Sequence, residues 1–221
     1  ALVGGHTREG VELSLGLALT GLVDPDAVLR KGGMCAGDRL VLTKGLGTGT
    51  LFAAEMRMRA KGRWIAGAIR AMRLSSHDAA LVLRRHNATA CTDVTGFGLL
   101  GHLVEMTRAS GVDVRLDLER VPILEGALET SAAGLLSSLH PHNIRLRRAV
   151  ANVDVAATDS RYPLLFDPQT AGGLLASVPA SEVAACVAEL HTLGYPQAAV
   201  VGVVETRDDG DPPILVGPLR A

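Results

Sequence analysis

The sequence predicts an α+β fold, and three observations lead to this prediction. Hydrophobic residues make up 48% of the 221 positions while aromatic residues make up only 3%, which favours a core of packed aliphatic side chains. The 25 glycines suit many tight turns between short elements. Segments with the period of a strand alternate along the chain with segments of helical period. A chain of this length can bury one generous core or one and a half small ones.

Charge and cysteine content exclude several classes of function. The formal net charge of −1 gives no electrostatic reason to expect nucleic acid or an anionic membrane as a partner. The longest apolar stretches, Val11–Val23 and Ala198–Val204, are too short or too interrupted to cross a bilayer. Cys35, Cys91 and Cys186 show no short pair spacing, which favours a reducing compartment. No secretory leader is visible, so we expect a cytoplasmic protein.

The amino-terminal region predicts a domain boundary. Val11–Thr20 alternates apolar with small or polar residues, as a strand with one buried face does. Asp24-Pro25-Asp26 ends this strand, and a turn-rich stretch follows it. We therefore expect residues 1–35 to be a terminal strand and junction, and residues 36–221 to form one domain. The chain opens at Ala1 without Met and inside a glycine motif, so we expect a piece of a longer protein.

Beyond residue 36 the pattern predicts five strands and five helical regions, and it predicts no element in the Pro- and Asp-rich tail after Arg207. The expected strands are Arg39–Thr43, Ala88–Thr92, Val112–Leu118, Leu174–Val178 and Ala198–Glu205. The expected helices are Thr50–Ala60, Ile65–His86 with a break at Ser75-Ser76, a helix from Leu99 that stops at Gly111, Leu124–Ala133, and Ser181–Leu193 with a serine cap.

Asp93 is the residue that most suggests chemistry, because it lies between a short strand and a glycine turn that opens a helix. One interpretation is that its carboxylate caps this turn by accepting backbone N–H groups, a very common use of Asp. The other is that it holds Mg²⁺ while phosphate approaches the turn. The residue types alone favour the cap.

Other candidate motifs carry weaker signals. Gly45-Leu-Gly-Thr-Gly49 could cradle a phosphate, but it lacks the Gly-Lys-Ser or Gly-Lys-Thr of a Walker loop, and a plain turn is commoner. Gly4-Gly-His-Thr7 could line a nucleotide site or simply form a turn, and the sequence alone favours the turn. His140-Pro-His142 could chelate a transition metal, although most such pairs are solvated. Cys91 has no cationic neighbour in sequence and reads as an inert buried thiol.

Taken together, these segments closely resemble the carboxyl-terminal part of the selenophosphate synthetase family, also called selenide, water dikinase. The resemblance covers nearly the whole chain. The matching segments are Gly4–Thr7, Leu29–Gly33, Gly37-Asp38 leading to Leu42–Lys44 and Leu46–Gly49, Cys91–His102, Ser137–Pro141 and Asp167–Leu175.

The resemblance implies an enzyme that converts selenide, ATP and water into selenophosphate, AMP and phosphate, with Mg²⁺ and as a homodimer. Asp93 matches the family's metal-binding aspartate, and Gly5, His6 and Thr7 match a segment that lines the ATP site across the dimer interface. The implied fold is a mixed β-sheet of about four to six strands with helices packed on one side, as in carboxyl-terminal domains of the aminoimidazole ribonucleotide synthetase-like superfamily. Residues 1–35 would then end the amino-terminal ATP-binding domain.

The chain also departs from the family. The catalytic Cys or selenocysteine, its nearby Lys and further metal-binding aspartates have no counterpart here, so we assign no catalytic residue and expect the chain to be inactive and to bind Mg-ATP poorly alone. The strand at Val11 should pair with another copy or lie disordered. Two alternatives stay open: a related ATP-dependent ligase or kinase with another acceptor, and a non-catalytic dimerisation or regulatory fragment. No residue pattern distinguishes selenide from sulfide.

Overall fold

The computed structural model describes residues 4–5, 10–11, 16–208 and 212–219. The middle of the predicted Val11–Thr20 strand, residues 12–15, lies outside them. Residues 16–23 are described, and they form neither helix nor strand. Their large apolar side chains are exposed: Leu17, Leu19, Leu22 and Val23. That this segment pairs with another copy therefore stays a prediction.

The described residues form six strands and eight α-helices, joined by short 3-10 turns. The strands are β1 (Arg39–Leu42), β2 (Ala90–Asp93), β3 (Asp113–Leu116), β4 (Leu174–Val178), β5 (Ala199–Glu205) and β6 (Ile214–Val216). The helices are α1 (Thr48–Glu55), α2 (Gly62–Arg73), α3 (His77–Arg85), α4 (Gly98–Ser110), α5 (Ala127–Ala132), α6 (His140–Asn143), α7 (Val153–Ala156) and α8 (Val183–Thr192).

The six strands form one mixed sheet in the order β2-β4-β1-β5-β3-β6. All neighbours are antiparallel except β3 and β6, which are parallel. Leu175 lies opposite Leu42 in the register, and Leu174 lies opposite Asp93. The carboxyl ends of β1 and β2 therefore meet the amino end of β4 at the same end of the sheet. The α+β class and the mixed sheet are confirmed.

The expected packing of helices on one side of the sheet is not what the structure has, because helices cover both faces. Leu40 and Leu42 of β1 belong to a core that includes α4, whereas Val41 between them belongs to a second core with α3 and α8. The residues Leu40-Val-Leu42 form a continuous apolar run rather than an alternating one. A strand with two apolar faces must be covered on both of them, which is why α3 and α8 pack on the second face.

Several boundaries follow the sequence pattern closely. The predicted break at Ser75-Ser76 separates α2 from α3, and Gly111 ends α4 in the left-handed conformation with φ of 67°. α8 differs from its prediction, since it begins at Val183 and Glu182 occupies the N-cap position without a side-chain hydrogen bond. Among the described residues, no helix combines the length and the hydropathy that crossing a bilayer would require.

Candidate functional site

Three glycine-containing segments converge at one end of the sheet. They are the residues after β1, the residues after β2, and the loop before β4. The loop links the other two, because Gly173 accepts a hydrogen bond from Val94 N–H at 2.9 Å and Leu174 accepts one from Thr43 N–H at 3.0 Å. Three of the segments quoted for the family resemblance are therefore neighbours in space: Leu42–Gly49, Cys91–His102 and Asp167–Leu175.

The two glycines of the loop are required by close backbone approach. A Cβ on Gly172 would lie 2.1 Å from the carbonyl oxygen of Val94, and one on Gly173 would lie 2.6 Å from the backbone nitrogen of Lys44. Real Cβ atoms do not come this close to backbone atoms, so a larger residue would push the three segments apart. The Gly-Gly pair keeps the end of the sheet compact.

The turn Gly45–Gly49 is occupied by protein side chains. Gln169 Oε1 accepts hydrogen bonds from the N–H groups of Gly47 and Thr48 at 3.0 and 3.2 Å. Asp167 Oδ2 accepts the N–H of Gly49 at 3.1 Å. These amides at the start of α1 are therefore already satisfied, and the turn reads as a structural joint rather than as a phosphate cradle.

Asp93 has a different environment, because its side chain is exposed at the last position of β2. Within the described residues its carboxylate accepts no hydrogen bond. The turn after it is closed by other groups: Thr95 N–H donates to His102 Nε2 at 3.0 Å, and Gly98 N–H donates to the Thr95 carbonyl at 3.1 Å. The N-cap of α4 is Phe97, without a side-chain cap. The capping interpretation of Asp93 is therefore not the one the structure has.

Charged residues of both signs lie near Asp93. Lys31 Nζ is paired with Glu105 Oε2 at 2.7 Å, with both side chains about half exposed. The hydrogen bond and charge of Glu105 raise the pKa of Lys31, and the charge of Asp93 adds a smaller increase. The Lys31 segment reaches this place because the backbone runs beside β2, where Cys91 N–H donates to the Arg30 carbonyl at 2.7 Å.

His102 supports the turn after Asp93 as a neutral imidazole. Its Nε2 accepts the N–H of Thr95, which places the ring proton on Nδ1, 3.7 Å from Glu105 Oε2. Burial lowers the pKa of His102, although the charges of Glu105 and Asp93 act in the opposite direction. His102 therefore positions the turn.

The other candidate residues fall elsewhere. Gly5 is exposed, with no atom within 4 Å of where a Cβ would stand, while His6 and Thr7 lie outside the described residues. In the His140-Pro-His142 motif, His140 is buried against Phe166 with the ring centroids 6.0 Å apart, and His142 is exposed. The two imidazoles are thus in different environments, unlike a chelating pair.

Cys91 is buried in the core beside α3 and α8. Burial raises the pKa of its thiol to about 12, and the nearby charge of Asp93 contributes to the increase. A thiol with this pKa stays protonated near neutral pH, so Cys91 is inert, as its sequence context predicts.

Sequence reasoning missed the structural roles of Asp167, Gln169 and His102. All three are at most 5% exposed, and their hydrogen-bond partners lie on other segments or, for His102, seven residues earlier in the turn before α4. The signal available in the sequence was the presence of polar residues inside apolar, glycine-rich segments, where buried polar groups must find hydrogen-bond partners.

The described residues contain no group of three or more His, Cys, Asp or Glu side chains arranged to hold a metal ion. What they offer where the three segments converge is the unengaged carboxylate of Asp93. Mg²⁺ commonly takes one or two protein carboxylates and completes its shell with water and phosphate oxygens. Asp93 therefore fits as one ligand to such an ion and cannot form a complete site by itself.

Comparison with known proteins gives one family. The profile of "AIR synthase related protein, C-terminal domain" matches residues 36–212. Two proteins named selenide, water dikinase match most of the chain: that of Pelobacter propionicus is 43% identical over 203 residues, or 92% of this chain and 58% of its own length. That of Geobacter metallireducens is 39% identical over 207 residues, or 94% of this chain and 60% of its own length. The chain thus spans about three-fifths of the length of these curated relatives.

Solved structures share the fold at low sequence identity. A crystal structure of the hydrogenase maturation protein HypE superposes with a TM-score of 0.63 at 17% identity, covering 88% of this chain and 53% of that one. A HypE structure in complex with ATP gives a TM-score of 0.58 at 17% identity, covering 88% of this chain and 51% of that one. The sequence relatives confirm the predicted resemblance to selenophosphate synthetase. The family profile shows that the chain belongs to the AIR synthase related protein family, whose carboxyl-terminal domain it carries.

Proposed function

We propose that this chain is the carboxyl-terminal part of an enzyme that makes selenophosphate from selenide, ATP and water and releases AMP and phosphate. The observation that carries the proposal is the unengaged carboxylate of Asp93 at the point where three glycine-containing segments meet. The names of the sequence relatives supply the reaction, and a fold neighbour crystallised with ATP supports a nucleotide as substrate.

In this proposal the chain's own residues bind and orient. Asp93 would be one ligand of Mg²⁺, an ion that neutralises the charge of the phosphate chain when it is bound. The Lys31–Glu105 pair would keep a cation beside Asp93 where anionic oxygens must approach. His102 would hold the turn after Asp93 fixed, because its ring nitrogen bonds the Thr95 amide. No residue of this chain is assigned as a nucleophile or general base.

The proposal extends to the amino-terminal segment, part of which lies outside the described residues. Gly5, His6 and Thr7 would line the ATP site of a homodimer, and residues 1–35 would end an amino-terminal ATP-binding domain that precedes residues 36–221. The exposed apolar side chains between residues 16 and 23 support an interface that includes this segment. A cytoplasmic location agrees with three cysteines that form no disulfide among the described residues.

Mn²⁺, a paramagnetic substitute for Mg²⁺, tests the role of Asp93 directly. In amide NMR spectra of the chain with ATP, substoichiometric Mn²⁺ should broaden signals near residues 93–98 first, and Asp93→Asn should abolish this selectivity. Asp154→Asn is the matched control, because Asp154 is an exposed carboxylate outside the three segments. Broadening that is centred elsewhere, or that persists in Asp93→Asn, would overturn the metal role.

Two further measurements separate the alternatives. The coding sequence upstream of Ala1 distinguishes part of an enzyme from an independent dimerisation or regulatory fragment. The exposed apolar segment at residues 16–23 is compatible with either, because it could pack on a preceding domain or on a second copy. Phosphorus NMR of the complete gene product with ATP and either selenide or another acceptor distinguishes selenophosphate synthesis from a related kinase or ligase. A phosphorylated product formed only with another acceptor would replace the proposed reaction.

A further inference from the structure

A cavity of about 430 Å³ lies between α2, the end of β1 and the loop that precedes β5. Its lining includes Thr43 and Lys44 of the segment after β1, but neither Asp93 nor the residues that close the turn after it. The polar and aromatic side chains of its lining include Lys44, Trp64, Arg70, Glu125 and Gln197. The volume falls within the range of small-molecule sites, which are about 300–1,000 Å³.

Trp64 gives the cavity an aromatic wall with an unused donor. Its side chain packs in a core with Leu51, Leu124 and Ala127 and is only 5% exposed. Within the described residues its buried indole N–H has no hydrogen-bond acceptor. Buried Trp N–H groups usually find a partner, so this donor lacks the acceptor that a bound molecule could supply.

Lys44 adds a buried positive charge. The residue is 4% exposed, and its ammonium donates to the carbonyls of Leu74 at 2.6 Å and Ala171 at 3.1 Å. No carboxylate lies within ion-pair distance of it among the described residues, and one of its three N–H bonds has no protein acceptor there. Burial lowers the pKa of Lys44, as expected for a cation without a counter-ion. Buried charges are normally paired.

The remaining polar lining also consists mainly of donors. Gln197 uses its carbonyl Oε1 to accept the N–H of Gly45 at 3.2 Å, which leaves its amide NH₂ group available. Arg70 contributes a second cation to the lining. The one carboxylate there, Glu125, is paired with Arg63 at 2.7 Å. The cavity therefore combines apolar walls with several donors and little negative charge that is not already paired.

We propose that this cavity binds a small organic anion whose carboxylate or phosphate group accepts hydrogen bonds from Lys44, Gln197 and the indole N–H of Trp64 while its apolar body lies along the apolar walls of the cavity. The bound anion would supply the counter-charge that Lys44 lacks. Nothing in this site requires nucleotide or metal, so it goes beyond the function proposed above, and its test uses neither.

The experiment uses phenyl phosphate and benzoate as probes and benzyl alcohol as their neutral counterpart. Trp64 is the only tryptophan of the chain, so intrinsic fluorescence and the indole N–H signal in NMR report on this cavity directly. We expect a saturable response to at least one anion and none to benzyl alcohol at the same concentration. Absence of saturation by both anions up to about 10 mM, a limit of roughly 3 kcal/mol of binding, would overturn the proposal.

Two variants assign the contacts. Lys44→Met replaces the lysine by an unbranched apolar side chain that lacks only the terminal ammonium position, and we expect it to weaken anion binding by about tenfold or more. Lys61→Met is the matched control, because Lys61 lies 4.6 Å from the centre of the Trp64 ring but does not line the cavity. The affinity of this variant for the anion should stay within about twofold of wild type. Equal weakening in both variants would contradict the proposal.

Trp64→Phe provides a second variant, should Lys44→Met fail to fold. It keeps an aromatic wall and removes only the indole N–H, so we expect weaker binding of the anion by titration calorimetry with an unchanged circular dichroism spectrum. Unchanged affinity would overturn the proposed mode, because the anion would then make no hydrogen bond with the indole N–H.

Discussion

The carboxylate of Asp167 accepts a hydrogen bond from the hydroxyl of Thr50 at 2.8 Å, across 117 residues of sequence. Asp167 is fully buried and also accepts bonds from Gly49 N–H and from the Gln169 side-chain amide. The loop before β4 thereby fixes the start of α1. Burial raises the pKa of Asp167 to about 6, although these hydrogen bonds lower it.

This raised pKa predicts a pH dependence of stability. Between pH 3.8, its ordinary pKa, and about pH 6, Asp167 binds more protons in the folded chain than in the unfolded chain. The stabilisation is therefore present below pH 4 and is lost as the pH rises through 6. Asp167→Asn cannot ionise, and its amide can donate to the Thr50 hydroxyl while its carbonyl accepts the Gly49 N–H. We expect the variant to gain about 2–3 kcal/mol relative to wild type between pH 4 and pH 7.5.

Urea unfolding of wild type and Asp167→Asn across this pH range measures the difference in their free energies of unfolding. The contributions of the other carboxyl groups cancel in this difference. Asp154→Asn, at an exposed position, is the control and should shift stability equally at both pH values. Parallel pH profiles for wild type and Asp167→Asn would show that the buried carboxyl titrates normally.

Gln169→Glu should be strongly destabilising. Gln169 donates from its amide to the Asp167 carbonyl and carboxylate at 2.8 and 3.0 Å. A glutamate would lose both donors and bring two buried carboxyls together, at a cost of about 3 kcal/mol or more that grows as the pH rises. Thermal unfolding followed by circular dichroism at pH 5 and pH 8 measures this cost.

Gln197→Glu is the matched control for this substitution. Gln197 also accepts a backbone N–H through Oε1, and its amide makes no bond to a carboxylate among the described residues. We expect a loss of less than about 1 kcal/mol there. Similar losses at both positions would mean that the contact with Asp167 is not the cause.

The elements that could be predicted from sequence are those whose signals are local. β4 was predicted at its observed bounds, since Leu174–Val178 is an apolar run bounded by Gly and Pro. The end of α4 followed from Gly111 alone. β6 was missed, because a three-residue strand in a Pro-rich tail is defined by its parallel pairing with β3, about a hundred residues earlier.

The candidate site shows the same division. The sequence located Asp93 correctly at the end of a strand before a glycine turn, but it could not decide whether the carboxylate caps that turn. The answer depends on His102, which bonds the Thr95 amide and leaves Asp93 unengaged. The roles of Asp167 and Gln169 depend on contacts with α1 more than a hundred residues away, for which no local pattern exists.

Gly126→Ala should destabilise the chain more than Gly134→Ala, although both substitutions place a Cβ on a left-handed backbone. Gly126 has a φ of 87°, and a Cβ there would lie 2.1 Å from Cδ2 of Trp64. Gly134, with φ of 72°, has open space around it, so Gly134→Ala carries only the strain of the left-handed backbone. We expect a loss of about 1 kcal/mol for Gly134→Ala and about 3 kcal/mol for Gly126→Ala.

Guanidinium unfolding measures both losses, and the fluorescence of Trp64 reports whether the indole moves. The emission should change only in Gly126→Ala, because only that Cβ displaces the ring. Equal losses with an unchanged emission spectrum would mean that the ring does not pack on Gly126 in solution.

The His86 side chain should titrate above the ordinary histidine value of 6.5. Its two ring nitrogens lie 3.1 Å from Glu182 Oε2 and 2.9 Å from Glu189 Oε2, at the contact between α3 and α8. Burial lowers the pKa of His86, but the two carboxylates outweigh it and raise the pKa overall. The resulting stabilisation is complete below pH 6.5 and is lost as the pH rises through the folded-state pKa.

NMR titration of the His86 ring protons measures this pKa, and Glu182→Gln should lower it because one carboxylate is removed while the other remains. Glu129→Gln, on the exposed side of α5, removes the same charge without contact to His86 and should leave its pKa unchanged. A pKa at or below 6.5 in the wild type, or the same decrease in both variants, would show that the two carboxylates do not hold the imidazole between α3 and α8. The pH dependence of the α3–α8 contact rests on this geometry.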